Sequence, residues 1–257
     1  MKIIIAGYGF VGNAVANSLK DKNELYVIDP KYNNNSISQY GHADCMIVCV
    51  GTPSKKDGDC DTSQLEAVLY DAPYGMPILI KCTVPPDYLE KLIKEYPNND
   101  ISYSPEFLRA ASADDDFKNQ TYMVLGGGNF EFWREVFKDS LPKCKAYLNT
   151  TVAEASMIKY TTNCFLSTKV AFFNQLYDMC EASGIDYNVV KQVLAYDHRI
   201  GASHMQVPGP DGSRGFGGAC FPKDTKAFTH YSDRLNTNAS ILESAIKYNK
   251  KIRKTLT

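Results

Sequence analysis

The sequence predicts an α/β chain in which a doubly wound parallel sheet precedes a mostly helical domain built on one long central helix. Three observations predict it. As far as Tyr147, short β-rich runs that are apolar nearly throughout alternate with helical stretches, the pattern of a parallel sheet covered on both faces. A glycine-rich turn joins the first of these runs to the first helical stretch. From Thr151 to about Ser183 neither glycine nor proline interrupts a helical pattern.

The strands are expected, in order, at Lys2–Ala6, Glu24–Asp29, Cys45–Val50, Pro77–Cys82, Ile101–Ser104 and Thr121–Leu125, with a helix over Asn13–Lys20 after the first. Thr151 followed by Glu154 reads as a capping box that starts the long helix, whose apolar positions include Ala155, Ile158, Phe165, Leu166, Val170, Phe173 and Leu176. At 1.5 Å rise per residue such a helix is roughly 45–50 Å long, more than a small domain needs, so it is expected to span domains or subunits. Gly184 supplies its stop. Shorter helices are expected over Tyr187–Ala195, Pro222–Tyr231 and Ser240–Lys254, interrupted by a loop rich in glycine and proline from about Gly201 to Gly218. The expected division is 1–148 for the sheet domain and 149–257 for the helical one.

Composition narrows the function classes. With 28 basic and 29 acidic residues in 257, mixed along the chain, nothing suggests a nucleic-acid or anionic-membrane surface. The opening Met1-Lys2-Ile3-Ile4-Ile5 is too short for a signal peptide and no later segment is long enough to span a bilayer, so the default expectation is a cytoplasmic protein. The 8 cysteines form no Cys-x-x-Cys pair and match no histidine at zinc spacing, so neither a disulfide scaffold nor a metal site is expected. Several sit in apolar runs, as Cys49 does, where cysteine usually serves as a small hydrophobe.

Gly7-Tyr8-Gly9-Phe10-Val11-Gly12 lies between a strand and a helix, the setting of a dinucleotide-binding turn and hence of a Rossmann-type domain. The first glycine allows the tight turn, the second lets backbone approach a pyrophosphate, and the third allows close helix–strand packing. Asp29, at the end of the next strand, can accept hydrogen bonds from the adenosine ribose and repel a 2′-phosphate, which favours NAD over NADP. Gly51-Thr52-Pro53 and Cys82-Thr83-Val84-Pro85 close further strands at the edge where open α/β sheets bind ligands, although each alone also reads as a plain turn.

Three clusters beyond the glycine turn carry the chemistry. Ser104-Pro105-Glu106-Phe107-Leu108-Arg109 follows a strand and brings Glu106 to the ligand edge. Lys159 and Asn163, four apart on the long helix, project from one face, which suits either a site or surface decoration. In Gly215-Phe216-Gly217-Gly218-Ala219-Cys220-Phe221-Pro222-Lys223-Asp224, Pro222 suits the first position of a helix. Cys220 is then expected just before that helix, where free N–H groups and the dipole favour a thiolate; the alternative is a small packed hydrophobe.

Together, in this order, these motifs, with Val50-Gly51-Thr52-Pro53, Phe165-Leu166 and Arg199-Ile200-Gly201, resemble the UDP-glucose and GDP-mannose dehydrogenase family over nearly the whole chain. The resemblance implies a four-electron oxidation of a sugar primary alcohol to a carboxylate, with two NAD⁺ reduced in succession. It implies that Cys220 forms a thiohemiacetal and then a thioester. Lys159 and Asn163 then stabilise the alkoxide-like oxygen, Asp224 and Thr83 handle a proton or hold a water, and Glu106 aids thioester hydrolysis. NAD contacts are implied for Gly7, Gly9, Phe10, Val11, Gly12, Asp29, Gly51, Thr52, Pro53 and Thr83. Nucleotide-sugar contacts are implied for Phe107, Leu108, Arg109, Lys159, Asn163, Arg199, Phe216, Gly217 and Lys223. Arg199 is expected to reach the neighbouring subunit's substrate, and the long helix to form a homodimer.

The sequence departs from the family in three places. Members usually continue into a second α/β domain that helps bind the nucleotide, so this chain resembles a short form. The loop between Arg199-Ile200-Gly201 and Gly215, with Val207-Pro208-Gly209-Pro210-Asp211-Gly212, is longer and is expected to replace some of those contacts. Ala110 stands where members often have a cofactor-touching glutamate. Two rival readings stay open: a two-electron dehydrogenase of the β-hydroxy-acid type, and a catalytically idle NAD-binding subunit.

Overall fold

A computed structural model describes residues 1–253. The chain divides into two compact units, one of Met1–Lys55 with Cys60–Lys159 and the other of Lys56–Asp59 with Tyr160–Thr257.

The first unit is built on a seven-stranded sheet in the order β2-β1-β3-β4-β5-β6-β7, with β1 Lys2–Ala6, β2 Glu24–Ile28, β3 Cys45–Val48, β4 Pro77–Ile80, β5 Asp100–Tyr103, β6 Tyr122–Gly126 and β7 Ala146–Thr150. Six of the strands stand within three residues of their sequence-based bounds; β7 was not foreseen. Pairing is parallel from β2 through β5 and again between β6 and β7, whereas β5 meets β6 antiparallel at Tyr103 and Gly126. The sheet is therefore mostly rather than wholly parallel.

Strand side chains alternate between two cores, which is why the strands are apolar throughout. Ile4, Met46, Val48, Ile78, Ile80 and Ile101 pack with Leu65 and Leu69 of α2 (Ser63–Tyr70), Leu89 and Leu92 of α3 (Pro86–Glu95) and Ala155. Ile3, Ile5, Ile47, Leu79, Met123 and Leu125 pack with Val15 and Leu19 of α1 (Phe10–Leu19), Phe117 of α4 (Ala113–Lys118) and Trp133 and Phe137 of α5 (Phe130–Lys138). Helices thus cover both faces, as a doubly wound sheet requires. Helix α1 begins three residues before the expected Asn13, because Gly12 is helical.

Helix α6, Val152–Ser183, is 32 residues long, about 48 Å at the usual rise. Its capping box is formed: the Glu154 amide donates to Thr151 Oγ1 (3.2 Å), while Thr151 N–H donates to Glu154 Oε2 (2.7 Å). It ends in a Schellman motif, with Gly184 at φ +68° and the Ile185 amide donating to Cys180 O at 2.9 Å.

In the second unit α6 is followed by α7 (Tyr187–Leu194), α8 (Phe221–Arg234) and α9 (Ser240–Ile252). The end expected for α9, Lys254, lies outside the described residues, as do the other positions of 254–257. One core joins Phe173, Cys180, Tyr187, Met205 and Val207; another joins Ala171, Phe216 and Ala245. The short Lys56–Asp59 segment belongs here because Asp59 Oδ2 accepts from Arg234 Nη1 at 3.0 Å and Asp57 O lies 3.1 Å from His230 Nε2. No helix among the described residues is long and apolar enough to cross a membrane.

Candidate active site

Two of the three glycines in the turn, Gly7 and Gly12, are required by the protein's own packing. Gly7 has φ +89°, and a Cβ there would stand 2.7 Å from the Cys49 and Val50 backbone. A Cβ on Gly12 would stand 2.0 Å from Gly7 O. Gly9 is different, since a Cβ there meets nothing within 4 Å. No protein group requires glycine at that position, and the space before its backbone is open. Helix α1 carries no acidic residue in its first turn, and its first amides, among them Phe10, Val11 and Gly12, have no acceptor within the helix. Tyr8, Gly9, Phe10, Asn13 and Tyr32 line a cavity of about 640 Å³, closed on another side by Ala110–Asp115. These residues fit a dinucleotide pyrophosphate.

Asp29 does more than terminate a strand. Its Oδ2 accepts the Tyr8 amide at 2.7 Å and its Oδ1 the Lys31 amide at 2.9 Å, so the carboxylate also pins the glycine turn. Each oxygen keeps a second lone pair for a ribose hydroxyl. Thr52 Oγ1 donates to Thr83 O at 2.8 Å, tying the ends of β3 and β4 together. Gly51 and Pro53 flank that tie. Ser156 Oγ donates to Val84 O at 2.6 Å and anchors the start of α6 beside it, a contact the sequence did not reveal.

Glu106 and Lys159 are brought together. Lys159 Nζ donates to Glu106 O at 2.5 Å and to Glu106 Oε1 at 3.0 Å, with the residues only 3% and 7% exposed. Glu106 Oε2 in turn accepts the Leu108 amide at 2.7 Å. The Phe107 ring lies 5.5 Å from Lys159 Nζ. The ammonium has three donors, of which two serve Glu106 and one remains for another oxygen. Arg109 points elsewhere: Asp116 Oδ1 accepts from its Nη2 at 2.6 Å and Asp116 Oδ2 from its Nε at 3.0 Å. That guanidinium holds the Asp116 carboxyl at about 2, well below its ordinary value.

The second unit assembles another cluster. Asp224 is fully buried in the first turn of α8; its Oδ2 accepts from Asn163 Nδ2 at 2.6 Å and its Oδ1 from Lys223 Nζ at 2.5 Å. The Asp224 amide donates to Cys220 O at 2.8 Å, which makes half-buried Cys220 the N-cap of the helix. The helix begins at Phe221, so Pro222 occupies its second position rather than the first as the sequence suggested. The shift leaves Cys220 adjoining the helix start. Phe216 is buried, with its amide donating to Asn249 Oδ1 at 2.7 Å and its carbonyl accepting from Asn249 Nδ2 at 2.9 Å. A Cβ on Gly217 would stand 2.1 Å from Arg253 Nη2, so a larger residue there would displace that guanidinium. Arg199 is exposed and its Nη2 donates to Asp197 Oδ2 at 2.6 Å.

Among known proteins, residues 29–138 match the NAD binding domain, and residues 153–251 the central domain, of the UDP-glucose/GDP-mannose dehydrogenase family. A UDP-glucose 6-dehydrogenase of Rickettsia prowazekii (strain Madrid E) is 33% identical over 235 residues, covering 86% of this chain and 52% of the relative. The chain spans about half the length of the curated relatives it matches. A UDP-glucose dehydrogenase from Pyrobaculum islandicum superposes with a TM-score of 0.85 at 24% identity, covering 97% of this chain and 68% of that one. A Mycobacterium tuberculosis 3-hydroxyisobutyrate dehydrogenase superposes with a TM-score of 0.76 at 15% identity, covering 97% and 93%. At these identities the two structures share the fold.

Proposed function

This chain belongs to the UDP-glucose/GDP-mannose dehydrogenase family, and we propose on that footing that it oxidises the primary alcohol of a nucleotide sugar, UDP-glucose foremost, to the carboxylate. The observation that carries the reading is Cys220 at the N-cap of α8, with Asp224 buried four residues on and bound by Asn163. NAD⁺, held by the glycine turn, Asp29, Thr52 and Thr83, supplies the hydride acceptor for both oxidations.

The chain's own residues perform the remaining work. In the first oxidation the alcohol proton passes to water held by Asp224 and Thr83, while Lys159 offers its third donor, and Asn163 an amide, to the sugar oxygen as negative charge develops there. Cys220 attacks the resulting aldehyde as thiolate, favoured by the amides and dipole of α8, and the carbonyl oxygen takes up a proton to give a thiohemiacetal. Removal of a hydride and the hydroxyl proton leaves a thioester on Sγ. Glu106 orients water and accepts its proton; water adds to the carbonyl carbon and Sγ leaves as thiolate, giving the carboxylate. Asp224 and Thr83 position water, and Phe107, Leu108, Arg109, Phe216, Gly217 and Lys223 bind the nucleotide sugar.

Exposed Phe165, Phe172 and Met179, at 63%, 60% and 56% exposure, recur every seven residues along α6. Such a stripe is a helix–helix seam awaiting a partner, which supports a homodimer with Arg199 acting in the partner's site.

The alternative is a two-electron oxidation with no covalent step. NADH released per UDP-glucose consumed decides between them. Two NADH and a carboxylate product are expected; one NADH with a stable aldehyde or ketone rejects the thioester route.

A further inference from the structure

Lys81 follows β4 directly and is 2% exposed, yet it belongs to no ion pair among the described residues. Its Nζ donates to Ser104 O and to Ser104 Oγ, both at 3.1 Å, and lies 5.6 Å from the centre of the Phe117 ring. A buried ammonium without its own carboxylate costs folding free energy, and a methionine of similar shape would be at least as stable there. Stability therefore gives no reason for lysine at this position.

Its surroundings do. Ser104 begins the short segment Ser104-Pro105-Glu106, and Lys159 grips the other end through Glu106 O and Glu106 Oε1. Pro105 contributes a fixed φ and no donor, so the segment is a stiff link between two buried ammonium groups. The charged and titratable groups facing Lys81 are Glu106 and Lys159, together with the thiols of Cys49 and Cys82. Burial pushes the Cys49 thiol up to about 12 and raises Cys82 further, so both are neutral and Glu106 is the only carboxylate among these groups. The cluster therefore holds two lysines and one carboxylate.

We propose that Lys81 is a positioning residue for Glu106, fixing the carboxylate by holding Ser104 through the charge-assisted hydrogen bonds of its ammonium. The role of Glu106 rests on the proposed function; the hold of Lys81 on its segment does not. Burial lowers Lys81 to about 8, so its charge is present at neutral pH and lost as pH rises through that value.

The test compares the full chain with Lys81→Met, Glu106→Gln and the double variant, following NADH from UDP-glucose and NAD⁺ together with Tm. Lys81→Met is expected to fold with equal or higher Tm, to lose about tenfold in kcat, and to keep KM within about twofold. The double variant is expected to be no slower than Glu106→Gln alone, because residues acting through one group are not additive. The wild type is expected to lose rate above pH about 8, and Lys81→Met to lack that limb. Additive losses, or a wild-type profile flat through this range, overturn the proposal, and the wild-type profile decides even if Lys81→Met does not fold. The amplitude of the wild-type curve is read separately: one NADH per substrate with the coupling intact rejects the thioester route and leaves Lys81 standing.

Discussion

Gly9→Ala separates binding from folding at the cofactor turn. The backbone at Gly9, φ −73° and ψ −165°, suits alanine, and the new methyl meets nothing within 4 Å. Gly9 is also the N-cap of α1, where alanine is a poorer residue by a few tenths to about 1 kcal/mol. For a chain of this size that lowers Tm by about 1–4 °C. The same methyl occupies the space assigned to the pyrophosphate and displaces it from the α1 amides. Losing one or two hydrogen bonds to a charged group costs about 1.5–3 kcal/mol each, so NAD⁺ affinity is expected to fall at least tenfold. Gly12→Ala is the contrasting perturbation: its Cβ would stand 2.0 Å from Gly7 O, and the turn itself must move. That variant is expected to lose several kcal/mol and to bind nothing. Calorimetric titration with NAD⁺ and a thermal melt read both quantities. Wild-type affinity in Gly9→Ala, or a collapse of its Tm, refutes the reasoning.

Asp224→Ala removes the acceptor of the buried Asn163 Nδ2, and is expected to cost about 1–3 kcal/mol in urea unfolding. The Asp116 carboxyl, held at about 2 by Arg109, contributes stability that is present above its unfolded value and lost as pH falls through its folded one. Because Arg109 is largely exposed, the contribution is about 1 kcal/mol or less. Arg109→Ala should accordingly flatten the acid limb of stability between about pH 4 and pH 2, measured by urea melts. Phe172→Glu on the exposed α6 stripe is expected to give monomers in sedimentation with Tm of the chain little changed; dimers of undiminished affinity would place the interface elsewhere.

What the sequence made legible follows from where side chains go. Runs such as Ile3-Ile4-Ile5 and Met46-Ile47-Val48 are apolar at every position because alternate residues enter cores on opposite faces of the sheet. Strand β7 escaped notice because its residues are half-buried or exposed and it ends in Asn149 and Thr150. The antiparallel run of β6 against β5 was invisible for another reason: strand composition carries no direction. The capping box was legible because its partners are near in sequence, and the glycine turn because Gly12 packs directly on Gly7. The Glu106–Lys159 pair spans 53 residues and the Asn163–Asp224 pair 61, so only the folded chain joins them. Lys81 did leave a signal: it is a lysine between Ile80 and Cys82 in a run otherwise apolar, within the bounds first drawn for that strand.

The product formed by Cys220→Ser from UDP-glucose and NAD⁺ tests the covalent route most directly. Serine is a weaker nucleophile and its alkoxide a poorer leaving group than the thiolate, so the account predicts that this variant forms no carboxylate. Carboxylate produced by Cys220→Ser at the wild-type rate would contradict it.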